Sequence, residues 1–137
     1  MGARIFWARG LFAVLLGVVT YLTVTPNPDE AEKGFAAARF IAALLFGDAQ
    51  LGDKVAHFAG YGALGASAFW AGIKTFAHRR WTPVMLGVYG ALLEGVQGLG
   101  GVRSPELADA LANAFGAFAG FAGAMVLAMI IARFKST

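Results

Sequence analysis

The chain has 137 residues, of which 58% are hydrophobic and only 14% charged, and its mean hydropathy is +0.66. Soluble domains carry about 25% charged and about 45–50% apolar residues, and a soluble chain this short cannot bury such an excess. Disorder is excluded by the same numbers, and the absence of cysteine excludes a disulfide framework, a thiolate nucleophile and a cysteine-based zinc site. The composition predicts an integral membrane protein.

A helix needs about 20 mostly apolar residues to cross the hydrocarbon core. Nineteen uncharged residues lie between Arg9 and Asp29, nineteen run from Val55 to Ile73, twenty-two from Trp81 to Val102 and twenty-three from Ala110 to Ala132. The second stretch is interrupted by His57 and the third by Glu94. These segments predict spans at about 6–25, 54–75, 82–100 and 106–132, within one domain over residues 1–137. A cleaved signal peptide is the other reading of the first span, but Thr23-Val24-Thr25-Pro26 offers no small-x-small cleavage site.

The connection from Thr25 to Gly52 opens with Pro26 and Pro28 and contains a twelve-residue apolar stretch, Phe35 to Phe46, broken only by Arg39. At about 1.5 Å per residue this reaches only about 18 Å, so it predicts a short interfacial or re-entrant helix in the first external loop. Gly47-Asp48 and Gly52-Asp53 read as helix punctuation, with Asp53 as N-cap of the second span. The expected architecture is therefore an all-α, integral membrane four-helix bundle with one additional short helix.

Charge is segregated. Arg4, Arg9, Lys74, Arg79, Arg80, Arg133 and Lys135 fall at one set of span ends with no acid among them. The other end holds Lys33, Arg39, Lys54 and Arg103 together with all eight acids. The positive-inside rule places the basic end, and with it both termini, in the cytoplasm. The net charge of +3 reflects this topology; no basic-and-aromatic motif supports a nucleic-acid partner.

Polar residues within the spans converge at the other end. Asp53, His57 and Tyr61 share one face of the second helix, as Asp109 and Asn113 share a face of the fourth. Glu94 and Gln97 lie near the outer end of the third, and Arg103 in the turn that follows. Ionisable groups in a membrane are costly and default to a functional site. The plainer reading is that such residues cap helices or stitch them together, which applies most to Asp53, Lys54 and Glu106. Gly116, Gly120 and Gly123, with Gly87, Gly90 and Ala91, predict close helix packing. Gly116-x-x-x-Gly120 is also a dimerisation pattern, so a homodimer stays open beside packing within the bundle.

Three ordered motifs carry a family resemblance. Asp53-Lys54-x-x-His57-Phe58-x-x-Tyr61, Glu94-x-x-Gln97 and Arg103-Ser104-x-Glu106-x-x-Asp109-x-x-x-Asn113-x-x-Gly116 resemble those of the VanZ-like membrane proteins. Glu106 stands where an Asp is commoner and Pro105 where a bulkier apolar residue is usual. The resemblance implies a multi-pass protein of the bacterial cytoplasmic membrane in an envelope context, named for glycopeptide (teicoplanin) resistance, and brings no agreed reaction or cofactor.

Three functions fit these residues. In the first, an outward-facing site binds an anionic lipid head group or lipid-linked envelope precursor. Asp53, Lys54, Tyr61, Gln97, Arg103 and Asn113 would be its ligand-binding residues, with Lys54 and Arg103 on the anion. In the second, the chain is an intramembrane enzyme acting on a phosphate-containing lipid-linked substrate, with His57, Glu94 and Asp109 catalytic. His57 would be its general base, and the same carboxylates and imidazole could ligate a divalent metal. In the third, the cluster is a packing network in a structural or assembly subunit of an envelope complex.

Overall fold

The computed structural model describes residues 2–25, 28–99 and 106–135. The described residues form five α-helices: α1 (Ala3–Val24), α2 (Pro28–Phe46), α3 (Gly52–Trp70), α4 (Thr82–Leu99) and α5 (Leu107–Phe134). Short 3-10 turns at Ala49–Leu51 and Arg79–Trp81 lead into α3 and α4. An isolated bridge between Thr75 and His78 is the only β pairing among the described residues.

Of the expected architecture, the all-α class stands. By length and composition α1 and α5 are long and apolar enough to cross a membrane, with α1 near the N-terminus, whereas α3 and α4 do not reach the same measure. Four spans expected from charge spacing thus reduce to two on this count. The helix in the first connection corrects the sequence reading more sharply. It has 19 residues rather than twelve, or about 28 Å at 1.5 Å per residue. Its extra turns come from Pro28 at the first helical position, followed by Asp29, Glu30 and Glu32. Proline tolerates that position and acids favour a helix N-terminus, so a polar stretch without an apolar stripe still nucleates helix. Gly47, at φ +72°, ends it.

The start of α3 also differs from expectation. Asp48 caps the Ala49–Leu51 turn, its side chain accepting from the Gln50 amide at 2.8 Å. That turn runs directly into α3, so Leu51 takes the N-cap position and Asp53 lies inside the first turn. At the far end α3 stops at Trp70 rather than near residue 75, because Gly72 turns the chain at φ +64°. Phe76 and Ala77 then adopt positive φ in the tight turn closed by Thr75 and His78.

Helix α3 is the centre of the bundle: α5, α2 and α1 pack on it, and α4 packs on α5 and α1. The inner core joins Tyr61, Leu64 and Ala68 of α3 with Leu86 of α4 and Ala117 of α5, flanked by Phe12, Leu15, Leu16 and Val19 of α1. A polar contact ties α1 to α4, the hydroxyls of Thr20 and Tyr89 lying 2.6 Å apart while Thr20 donates to the Leu16 carbonyl. Tyr89→Phe is expected to lower stability by about 1 kcal/mol, the net worth of one such bond; thermal unfolding of the two proteins checks it.

Side chains are distributed against the usual pattern. The interior is largely small or polar, with Ala38, Ala42, Ala68, Ala71, Ala117, Ser67, Thr82, Glu94, Asp109 and Asn113 all buried. Large apolar groups point outward, among them Phe6, Trp7, Val14, Phe40, Leu92, Phe115 and Ile130.

The small interior lets α3 and α5 meet backbone to backbone. A Cβ on Gly120 would overlap the Gly62 carbonyl, and one on Gly65 would overlap that of Ala117. Gly116 lies equally close to Phe58. Within the chain, then, the Gly116-x-x-x-Gly120 pair serves α3. Gly123 has nothing within 4 Å of its Cβ position, and Ala91 is exposed, so neither takes part in the close packing expected of it.

The two ends of the bundle differ in charge. The Arg9 side chain donates to the Ala71 carbonyl at 3.3 Å, which brings the start of α1 to the end of α3. Arg79 donates to the Phe69 carbonyl and stacks over the Phe69 ring, 4.3 Å from its centroid, at that same end. Asp53, Glu94, Glu106 and Asp109 gather at the other.

Candidate functional site

The starts of α3 and α5 meet near the end of α4. Asp53 and Lys54 come from the first turn of α3, and Asp109 from the first turn of α5. The positive pole of a helix N-terminus favours a carboxylate in that turn, so Asp53 and Asp109 sit where the backbone supports them. Glu106, immediately before α5, completes the outer part of the cluster.

Lys54 holds this outer part together. Its Nζ lies 2.7 Å from Asp53 Oδ2, 2.5 Å from Glu106 Oε2 and 3.2 Å from Asp109 Oδ1. The ammonium therefore has three carboxylates around it, and the sequence-based role for Lys54, direct contact with an anion, is taken by acids of its own chain. A capping or stitching role is the plainer expectation for Glu106, and its ion pair with Lys54 does tie the start of α5 to that of α3. Its spacing of three from Asp109 was the available signal.

One turn further in, His57 Nδ1 lies 3.0 Å from Asn113 Oδ1 and 3.6 Å from Glu94 Oε1. An amide oxygen only accepts, so in this arrangement the imidazole carries a hydrogen on Nδ1 and donates it to Asn113. The His57 and Glu94 side chains are 9% and 5% exposed. An imidazole nitrogen of His57 and one carboxylate oxygen each of Glu94 and Asp109 lie within 4.8 Å of one another. Asp53, Glu106 and Asp109 form a second such trio, with Asp109 common to both.

Tyr61, one turn beyond His57, is 1% exposed and Asn113 is 0% exposed. The Tyr61 hydroxyl and the Asn113 amide nitrogen have no hydrogen-bond partner among the described residues, and Asp109 Oδ1 receives Lys54 at an angle that makes no hydrogen bond. Gly90 of α4 makes room for both donors: a Cβ there would lie 2.9 Å from Asn113 Nδ2 and 2.9 Å from Tyr61 Cζ.

No protein-family model, curated protein or solved structure matches this chain. The site therefore has to be read from its own chemistry.

The structure brings together Asp53, Lys54, His57, Tyr61, Glu94, Asp109 and Asn113 from the residues singled out in the sequence. Gln97 is half-buried and makes no hydrogen bond among the described residues. Arg103 lies outside the described residues. What sequence spacing did not reveal is the direct pairing of His57 with Asn113. Each belongs to a separate i, i+4 face, and only the close approach of α3 to α5 turns the two faces towards each other.

The arrangement can do two things chemically. Its outer part is an ion-pair network that locks two helix starts. Its inner part combines an oriented imidazole, two buried carboxylates and two buried donors without acceptors. Leaving a buried polar group unpaired costs about 1–3 kcal/mol, and such groups in a native protein call for a partner, whether an ordered water, an ion or a ligand.

Proposed function

We propose that this chain is a multi-pass protein of the bacterial cytoplasmic membrane, of the VanZ-like type, with both termini cytoplasmic. Its inner polar cluster receives the phosphate-bearing head group of a lipid or lipid-linked envelope precursor. The outward-facing large apolar side chains and the small, polar interior support the membrane reading, since a soluble protein of this size would arrange them the other way. The separation of cations and acids to opposite ends supports the orientation.

The observation that carries the binding reading is the pair of buried, unpartnered donors on Tyr61 and Asn113. Amide N–H groups only donate, so what meets Asn113 must be an acceptor, and phosphate oxygens are strong ones. Hydrogen bonds to charged groups are worth about 1.5–3 kcal/mol. Tyr61→Phe and Asn113→Ala are each expected to weaken binding of polyprenyl phosphate by about 10- to 100-fold, measured by titration of the purified protein in nanodiscs. Unchanged affinity in both variants overturns the proposal, and lowered thermal stability with unchanged affinity assigns the cluster to helix packing.

A second reading has its own observation. His57, held on one nitrogen by Asn113 with Glu94 beside it, has the form of an oriented general base, which suits an intramembrane enzyme acting on the same phosphate-containing substrate. Release of inorganic phosphate from a polyprenyl phosphate or diphosphate by the wild type, absent in His57→Gln, is the result that selects it.

A further inference from the structure

We propose that the inner trio, His57, Glu94 and Asp109, binds one divalent transition cation of the Mn2+ or Zn2+ kind. The inference rests on the reading of this cluster as the head-group site, because the cation would supply positive charge where a phosphate must approach carboxylates.

The geometry comes from three helices. One imidazole nitrogen of α3 and one carboxylate oxygen from each of α4 and α5 are already within 4.8 Å of one another. All three groups are largely withdrawn from solvent, with Glu94 4% and Asp109 2% exposed. One imidazole and two carboxylates suit Mn2+, Fe2+ or Zn2+; Mg2+ and Ca2+ prefer oxygen ligands throughout.

A trio of such residues is not in itself a site, and two further observations point to a ligand here. The Asn113 amide that orients His57 through its oxygen presents its nitrogen, 0% exposed, with no acceptor. The Tyr61 hydroxyl, 1% exposed, is likewise without a partner and lies against the same Gly90. Both can donate to a water or phosphate oxygen held on the cation, which gives each buried donor its acceptor.

The outer trio offers a contrast. Asp53, Glu106 and Asp109 surround the Lys54 ammonium at 2.5–3.2 Å, so a cation already stands at its centre. Of the inner trio Lys54 touches Asp109, whose carboxylate therefore links the two.

Mn2+ is the probe. Purified protein in nanodiscs of neutral lipid, stripped with chelator and titrated with Mn2+, is expected to remove one equivalent from the free-ion electron paramagnetic resonance signal. The bound ion should show coupling to one imidazole nitrogen, and Zn2+ should displace it. His57→Ala is expected to abolish the nitrogen coupling, and Glu94→Gln to weaken affinity at least tenfold. The wild-type signature needs no variant to fold: uptake without nitrogen coupling, or none above that of empty nanodiscs, overturns the site.

A second titration separates this inference from the one beneath it. Polyprenyl phosphate is expected to bind at least tenfold more tightly to the Mn2+-loaded protein than to the stripped one. Equal binding in both overturns the cation's role and leaves the head-group site standing. A nitrogen-coupled Mn2+ with no lipid binding in either form overturns the head-group reading and supports the cation site.

Discussion

Gly120→Ala is expected to lower the unfolding free energy by about 3 kcal/mol, at the upper end of the usual cost of overpacking. The added methyl would overlap the backbone carbonyl of Gly62, with the Gly62 α-carbon 2.8 Å away. A side chain in the way can change rotamer; a carbonyl in a facing helix can yield only if the helix moves. Moving α5 away from α3 also separates Asp109 and Asn113 from Lys54 and His57, so the cluster should loosen together with the fold. Gly123→Ala is the internal control. It lies on the same helix with nothing within 4 Å of the new atom, and replacing a helical glycine by alanine is favourable by up to about 1 kcal/mol. Thermal unfolding in detergent of the two variants should therefore shift in opposite directions. Equal shifts would mean that α3 and α5 do not meet at Gly120.

The opposite behaviour expected of two glycines three residues apart marks where sequence reading stops. Both lie in one stretch rich in small residues. What differs is the face: Gly120 abuts Gly62 of α3, while Gly123 is exposed with no neighbour at its Cβ position and the next residue, Ala124, is buried again. The helical class and the rough positions of α1, α3, α4 and α5 were legible because uncharged stretches are a local signal. The full length of α2 was not, since its first turns are specified by Pro28 and acids rather than by apolar residues. The end of α3 was missed for another reason. Val55 to Ile73 is uncharged throughout apart from His57, but Gly72 turns left-handed and distant groups, Arg9 and Thr82, bind the carbonyls of Ala71 and Ile73.

The candidate site divides along the same line. Its membership at one end of the bundle followed from helical periodicity, which puts Asp53, His57 and Tyr61 on one face and Asp109 and Asn113 on another. Its pairings did not, because they depend on which faces meet. The sequence treated Lys54 as a cation available to a ligand; three acids drawn from two helix starts engage it instead. Gln97 shares its helix and neighbourhood with Glu94, yet three residues along α4 is enough to leave it outside the hydrogen-bonded cluster. Large side chains of α1 and α5 showed a membrane-like composition in sequence, but only the fold shows that so many of them face outward while alanine, serine and threonine fill the interior.

Lys54→Met is expected to lower stability by about 2 kcal/mol at neutral pH. Removing one partner of a fully buried ion pair costs about 3–5 kcal/mol. The figure is reduced here because Lys54 is 25% and Glu106 49% exposed, so water screens part of the loss. Methionine keeps the length of the side chain and removes only its charge, leaving Asp53, Glu106 and Asp109 to face one another. Unfolding measured at pH 7 should show the gap between the two proteins, and Glu106→Gln added to Lys54→Met should recover part of the loss by removing one of the acids left facing the others. No recovery in the double variant would instead assign the effect to the packing of the lysine stem. Asp109 is shared by the outer and inner trios, so the same substitution should also act in the opposite sense on the inner one. With the competing ammonium gone, cation uptake at His57, Glu94 and Asp109 is expected to rise while the fold weakens, an outcome that loss of structure alone cannot produce.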